Sequence, residues 1–115
     1  MLFVINSKAE ENNIKYYSED SGILSLMYHR FDENTYPSTN IQMDIFKEQM
    51  SIINTLNYKF YDPQHLQKKF NIIKNKKEIL ITIDDAFLSF YKIAWPYLKK
   101  EKIPFILFVS TEAVG

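Results

Sequence analysis

Apolar and polar residues fall in blocks along the chain, and the length and spacing of each block predict an element. Ile23-Leu24-Ser25-Leu26-Met27-Tyr28 is short and mostly apolar, then stops at the polar His29-Arg30. That pattern predicts a buried strand, parallel to its neighbours, with a polar tip. The stretch from Asp32 to Asn40 collects Asp, Asn, Pro and Ser and reads as a loop. Phe46, Met50, Ile53 and Leu56 then recur at helical spacing, with Lys47, Glu48 and Gln49 on other faces. Asp44 sits in the first turn, where a negative charge suits the helix dipole, and Asn57 is a left-handed stop.

Tyr58 to Tyr61 predicts a second, short strand. Asp62-Pro63 reads as a helix cap followed by proline at the first position, opening a helix with Leu66 and Phe70 on one face. Lys74 to Lys77 is a loop. Glu78 to Ile83 is rich in β-branched residues and is the clearest strand, running into Asp84-Asp85. A helical segment comes next over about Ser89 to Lys100, with Pro96 expected to break or kink it. Pro104 opens a last strand, Phe105 to Val109. Strands alternate with helices, which predicts an α/β fold with a largely parallel sheet. In such sheets ligands bind at the carboxyl ends of the strands. His29 and Asp84-Asp85 both lie at that edge.

Composition narrows the function classes. The 115 residues carry 14 basic and 14 acidic side chains, so no net positive charge points to nucleic acid. The lysines between Lys68 and Lys77 read as a solvated helix end and loop. There is no cysteine, which removes disulfides, thiolate metal sites and cysteine nucleophiles. No apolar run approaches the ~18 residues of a membrane span. Glycine occurs only twice, so tight left-handed turns must fall to Asn or Asp, which tolerate positive φ better than other residues. Residues 1–20 read as a polar tail behind the apolar Met1 to Ile5. Ser7-Lys8-Ala9 has the small-x-small form of a signal-peptidase site. Two readings stand here, a plain tail or the remnant of an export signal. The second implies a periplasmic or extracellular protein, the first a cytoplasmic one.

Asp84-Asp85 is the candidate chemistry. Two adjacent carboxylates at the end of a buried strand repel each other and are partly desolvated. A divalent cation can relieve this, or one carboxylate can keep a proton and exchange it. The alternative is structural, with one Asp capping the next helix and the other in solvent.

Thr82-Ile83-Asp84-Asp85-Ala86 resembles the Thr-Phe-Asp-Asp-Gly motif of the polysaccharide deacetylases (the NodB-homology domain, carbohydrate esterase family four). Leu26-Met27-Tyr28-His29-Arg30 is similar to the Tyr-His strand that opens many of these domains. Phe46 to Met50 resembles their first helix, Phe90 to Lys100 the stretch after the motif, and Ile103 to Val109 the next strand. The resemblance runs from Ile23 to Gly115 with order and spacing kept. It implies an incomplete parallel (β/α) barrel, with residues 21–115 as the N-terminal part of the domain. It further implies Asp84 as general base and Asp85 as ligand of a divalent metal, usually zinc. His29 would line the site in an undefined role. The substrate class would be an N-acetylated polysaccharide or oligosaccharide, hydrolysed to acetate and a free amine.

Two departures qualify the resemblance. Ala86 stands in place of the family glycine, and a positive φ there would cost alanine ~1 kcal/mol or more. The family's His-x-x-x-His motif has no counterpart in this sequence, whose second histidine, His65, has no partner at i+4. Catalytic zinc takes about three protein ligands. The expectation is therefore a metal site left incomplete and a chain without activity by itself. The competing expectation is a non-catalytic glycan-binding or accessory half-domain that pairs with another chain. An open sheet edge after Val109 would favour such pairing or self-association. A phosphoacceptor receiver domain is disfavoured, because receivers place their acidic pair after the first strand.

Overall fold

The computed structural model describes residues 23–65 and 77–113. The tail over residues 1–20, and the helix expected to carry Leu66 and Phe70, lie outside the described residues. The core of the fold is the strand β5 (Glu78–Asp84), which is buried over Ile79 to Ile83. Along one flank it pairs in parallel with β1 (Ile23–Tyr28), in register from Ile23 opposite Glu78 to Tyr28 opposite Ile83. Its other flank is shared. The short strand β4 (Lys59–Phe60) pairs with Glu78 and Ile79, and β6 (Phe105–Phe108) takes over from Ile81 to Asp84. All these pairings are parallel, giving the mixed α/β architecture that the alternating blocks predict.

Both described helices cover one face of this sheet. In α1 (Met43–Thr55) the buried residues are Met43, Phe46, Met50 and Ile53. They meet Ile79, Ile81 and Ile83 of β5 in one cluster with Phe90, Ala94 and Leu98. Aromatic rings bind the layers: Phe46 meets Tyr28 edge-on at 4.8 Å and Phe31 at 5.1 Å between centroids. Such pairs contribute about 0.5–1.5 kcal/mol each beyond their buried area. Burial pushes the Tyr28 hydroxyl up to about 12, which keeps it neutral as it donates to Gln49 Oε1 at 2.6 Å.

Several expectations change. Left-handed positions do not fall to Asn and Asp alone: Tyr36, Ala86 and Lys102 share them with Asp32, Asn57 and Asp85. Leu56, fourth in the helical spacing, is 56% exposed, because α1 ends at Thr55 and the chain turns away through Asn57 at φ 59. The loop from Asp32 to Asn40 is closed by a small parallel pair, β2 (Arg30–Phe31) with β3 (Asn40–Ile41). Pro96 does not break its helix. A π turn, Phe90–Ala94, runs directly into α2 (Trp95–Glu101), and the Trp95 N–H reaches back five residues to the Phe90 carbonyl. The widened turn absorbs the misfit around a proline that has no N–H to donate.

β1 is also only half-buried before Tyr28, not buried on both faces as a parallel strand is expected to be. The reason is the second face of the sheet, which no described helix covers. Among the described residues no helix is long and apolar enough to cross a membrane.

The start of α1 shows a cap that its own flanking sequence lacks. Gln42 makes no side-chain capping bond. Instead Asp32 Oδ1, eleven residues upstream, accepts from the Met43 N–H at 2.6 Å, with Asp32 itself held at φ 52. Replacing a capping side chain by alanine costs about 1 kcal/mol. Asp32→Ala is expected to lower the urea midpoint accordingly without changing the slope of the transition, whereas Asp44→Ala, which removes a dipole contact and an exposed hydrogen bond from the Ile45 N–H at 2.7 Å, is expected to cost less.

Candidate active site

The parallel register of β1 and β5 decides which polar side chains meet. Tyr28 lies opposite Ile83, so the next residue on each strand, His29 and Asp84, arrives at the carboxyl edge side by side. His29 Nε2 lies 3.6 Å from Asp84 Oδ2, and both side chains are a little over a quarter exposed, at 27% and 28%. That separation is an ion pair when the imidazole is protonated and is longer than a good hydrogen bond. On its other side Asp84 pairs with Phe108 of β6.

Strand alternation then selects the surroundings. Ile79, Ile81 and Ile83 point into the helix-covered core, so Leu80, Thr82 and Asp84 point to the uncovered face. With Ser25, Met27, Ile106 and Phe108 they line an open groove of about 590 Å³ whose lining also includes Asp85. This volume falls in the range of small-ligand sites. Thr82 is buried and donates from Oγ1 to the Leu26 carbonyl at 3.3 Å. The groove is therefore apolar along its floor and acidic at its rim.

Beyond Asp84 the backbone takes an unusual path. Asp85 has φ 67 and Ala86 φ 49, two successive non-glycine residues in the left-handed region. Each costs roughly 1–2 kcal/mol. The turn lifts Asp85 to an exposed position at the groove mouth. The β2–β3 segment ties down the far side of the turn, from Phe87 to Ser89. Ser89 Oγ accepts the Phe31 N–H at 3.2 Å. The Arg30 guanidinium carbon lies 3.5 Å from the Phe87 ring centroid and 4.5 Å from that of Tyr36. The same guanidinium donates to Glu33 Oε2 at 2.8 Å. A hydrogen bond from Ser89, and next one from Arg30, hold the Glu33 carboxyl below its ordinary range.

The structure thus brings together His29, Asp84 and Asp85, the three residues singled out in the sequence, at one edge of the sheet. It leaves His65 apart, exposed in the single turn Pro63–His65. Among the described residues no group of three or more His, Cys, Asp or Glu side chains is placed to hold a metal ion. The donor set among the described residues does not by itself fit a catalytic zinc centre. Sequence reasoning missed Arg30, Glu33, Phe87 and Ser89 as supports of the turn. Arg30 showed only as part of a polar strand tip, and no periodicity marks Phe87.

No protein-family model matches the sequence, and comparison with curated proteins finds no match. Solved structures do match. IcaB from Ammonifex degensii superposes with a TM-score of 0.69 at 34% identity, over 77% of this chain and 38% of that one. Streptococcus pyogenes deacetylase PplD, solved in complex with acetate, gives 0.57 at 27% identity over 74% of this chain and 41% of its own. A de-N-acetylase from Aggregatibacter actinomycetemcomitans gives 0.64 at 18% identity, over 74% and 36%, a likeness of fold alone. The chain spans about two fifths of the length of the structures it matches.

The left-handed alanine gives a direct measurement. Ala86→Gly removes the Cβ conflict at φ 49 at the cost of a more flexible unfolded chain, and is expected to raise stability by ~1 kcal/mol. A loss of stability on denaturant unfolding would show that the turn is not strained.

Proposed function

Since this chain carries the fold of the polysaccharide deacetylase family over about three quarters of its length, we propose that it supplies the acidic edge of a hydrolase that removes N-acetyl groups from a glycan. The bond broken is the carbon–nitrogen bond of an acetamide, not a peptide bond. The observation that carries this reading is Asp84, placed by β5 at the carboxyl rim, 3.6 Å from His29 and in the lining of an open groove. In the proposed reaction the Asp84 carboxylate accepts a proton from the attacking water, and water oxygen bonds to the acetyl carbon. Collapse of the tetrahedral adduct returns a proton to the departing nitrogen, leaving acetate and a free amine. His29, beside Asp84, can hold that carboxylate in orientation and share its charge.

The resemblance also implies a divalent metal, zinc in most relatives, with Asp85 as a ligand. Since the described residues do not assemble the remaining ligands, the proposed steps use this chain's own side chains only. Four parallel strands with helices on one face support the further reading that the groove face belongs to the interior of an incomplete (β/α) barrel. On this reading the 115 residues alone are inactive. A second reading is a non-catalytic glycan-binding or accessory half that completes itself with another chain. It is favoured by the exposed apolar rim of Leu107, Phe108 and Val109, the last two at 54% exposure.

Acetate release from an N-acetylglucosamine oligomer with added zinc separates these readings. The 115-residue chain is expected to release none. A longer chain that completes the barrel is, on this reading, expected to turn over, and Asp84→Asn to lower its rate by roughly 100-fold or more. Turnover unaffected by that substitution would remove Asp84 from the mechanism. Glycan binding by such a chain without acetate release would select the accessory reading.

A further inference from the structure

We propose that Arg30 is a positioning residue for the acidic pair: stacked between Tyr36 and Phe87, it clamps the left-handed Asp85–Ala86 turn that presents the two carboxylates to the groove. The inference rests on the reading of Asp84 and Asp85 as the working residues of the site, but its test does not require turnover.

The turn needs a clamp. Two consecutive non-glycine residues at φ 67 and φ 49 relax to another backbone path unless both ends are fixed. The incoming end is fixed by β5, which is paired along both edges at its carboxyl half. The outgoing end belongs to no strand. It is Phe87, whose carbonyl accepts the Phe90 N–H at 3.0 Å, then Leu88 and Ser89 at the start of the next helix, and its side-chain anchors come from the β2–β3 segment. The Arg30 guanidinium lies face-on to Phe87 at 3.5 Å and has Tyr36 at 4.5 Å. Glu33 takes one guanidinium N–H at 2.8 Å, and Ser89 receives the Phe31 N–H at 3.2 Å.

The charge of Arg30 is thus satisfied by Glu33, and its plane lies against aromatic rings. These contacts are with Glu33, Tyr36 and Phe87, not with Asp84 or Asp85, so its influence on the carboxylates passes through Phe87 and the turn. An exposed arginine–glutamate pair three residues apart would contribute little. Here the arginine is only 19% exposed, and stacking against an aromatic ring is a contact lysine reproduces poorly. Arg30 is also the residue directly after His29, so the same short piece of chain sets both the imidazole and the clamp.

The test is a coupling measurement on the chain itself. Arg30→Lys keeps the charge and loses the planar stack. It is expected to shift the NMR amide resonances of Asp84, Asp85 and Ala86 and the ring resonances of His29. In the Ala86→Gly background, where the left-handed turn carries no Cβ conflict, the same substitution is expected to shift them by less than half as much. The folded-to-unfolded ratio is expected to fall roughly tenfold with Ala86 in place and about threefold or less in the Ala86→Gly background. Phe87→Leu, which removes the other half of the stack, is expected to reproduce the pattern. Unmoved resonances at positions 29 and 84–86, or equal shifts in both backgrounds, would overturn the proposal. If Arg30→Lys and Phe87→Leu both fail to fold, recovery of folding on adding Ala86→Gly supports it and continued failure overturns it. A positive result here together with no deacetylation by a chain that completes the barrel would retain the clamp and remove the catalytic reading.

Discussion

Backbone pairing between β1 and β5 is the constraint on which the site depends. Side chains in parallel strands are matched by register, and a slip of one residue would turn every side chain of one strand to the opposite face. Burial of Ile79, Ile81 and Ile83 against α1 and α2 fixes which face of β5 is the core. Once that face is fixed, Asp84 has to point into the groove, and Tyr28 opposite Ile83 has to deliver His29 beside it. The acidic edge is therefore a consequence of hydrophobic packing one layer away. The isoleucines hold the carboxylate without touching it.

A second constraint acts after the strand ends. The chain leaves β5 through two left-handed residues, neither of them glycine, in a sequence that has only two glycines in all. The conformational cost is carried locally and offset by contacts from the β2–β3 segment, which also supplies Asp32 to cap α1. This small two-stranded segment thus serves two elements at once. Strain at a candidate site, held by rigid surroundings, is the usual arrangement where side chains must be presented at a fixed angle.

Much of this was legible in the sequence where the signal is periodic or local. The apolar block Ile23–Tyr28 became β1 with the same limits, and Glu78 to Ile83 became β5 with Asp84 as its last residue. Phe46, Met50 and Ile53 are buried as their spacing requires, and Asn57 ends the helix in the left-handed region. Asp84, Asp85 and His29 could be singled out because they interrupt apolar runs. The parts that were not legible depend on contacts between residues distant in sequence or on geometry without a composition signal. Asp32 caps a helix eleven residues away. Arg30 and Phe87 stack across a separation of 57 positions. Pro96 looked like a break or a kink because proline removes a donor, yet it lies in the first turn of α2, directly after a single π turn, and the helical path continues. Leu56 kept the helical spacing but lies one step past the last turn, where no packing partner remains.

The division of one flank of β5 between two strands has an evolutionary corollary. β4 occupies the amino end of that flank and β6 the carboxyl end, so the chain leaving β6 emerges at the mouth, where Val109 and Ser110 already form part of the wall. The scaffold and the entrance are thereby built from separate stretches. Drift in the segment after Phe108 can reshape what gains access to the carboxylates while the isoleucine layer beneath stays under its own selection for packing.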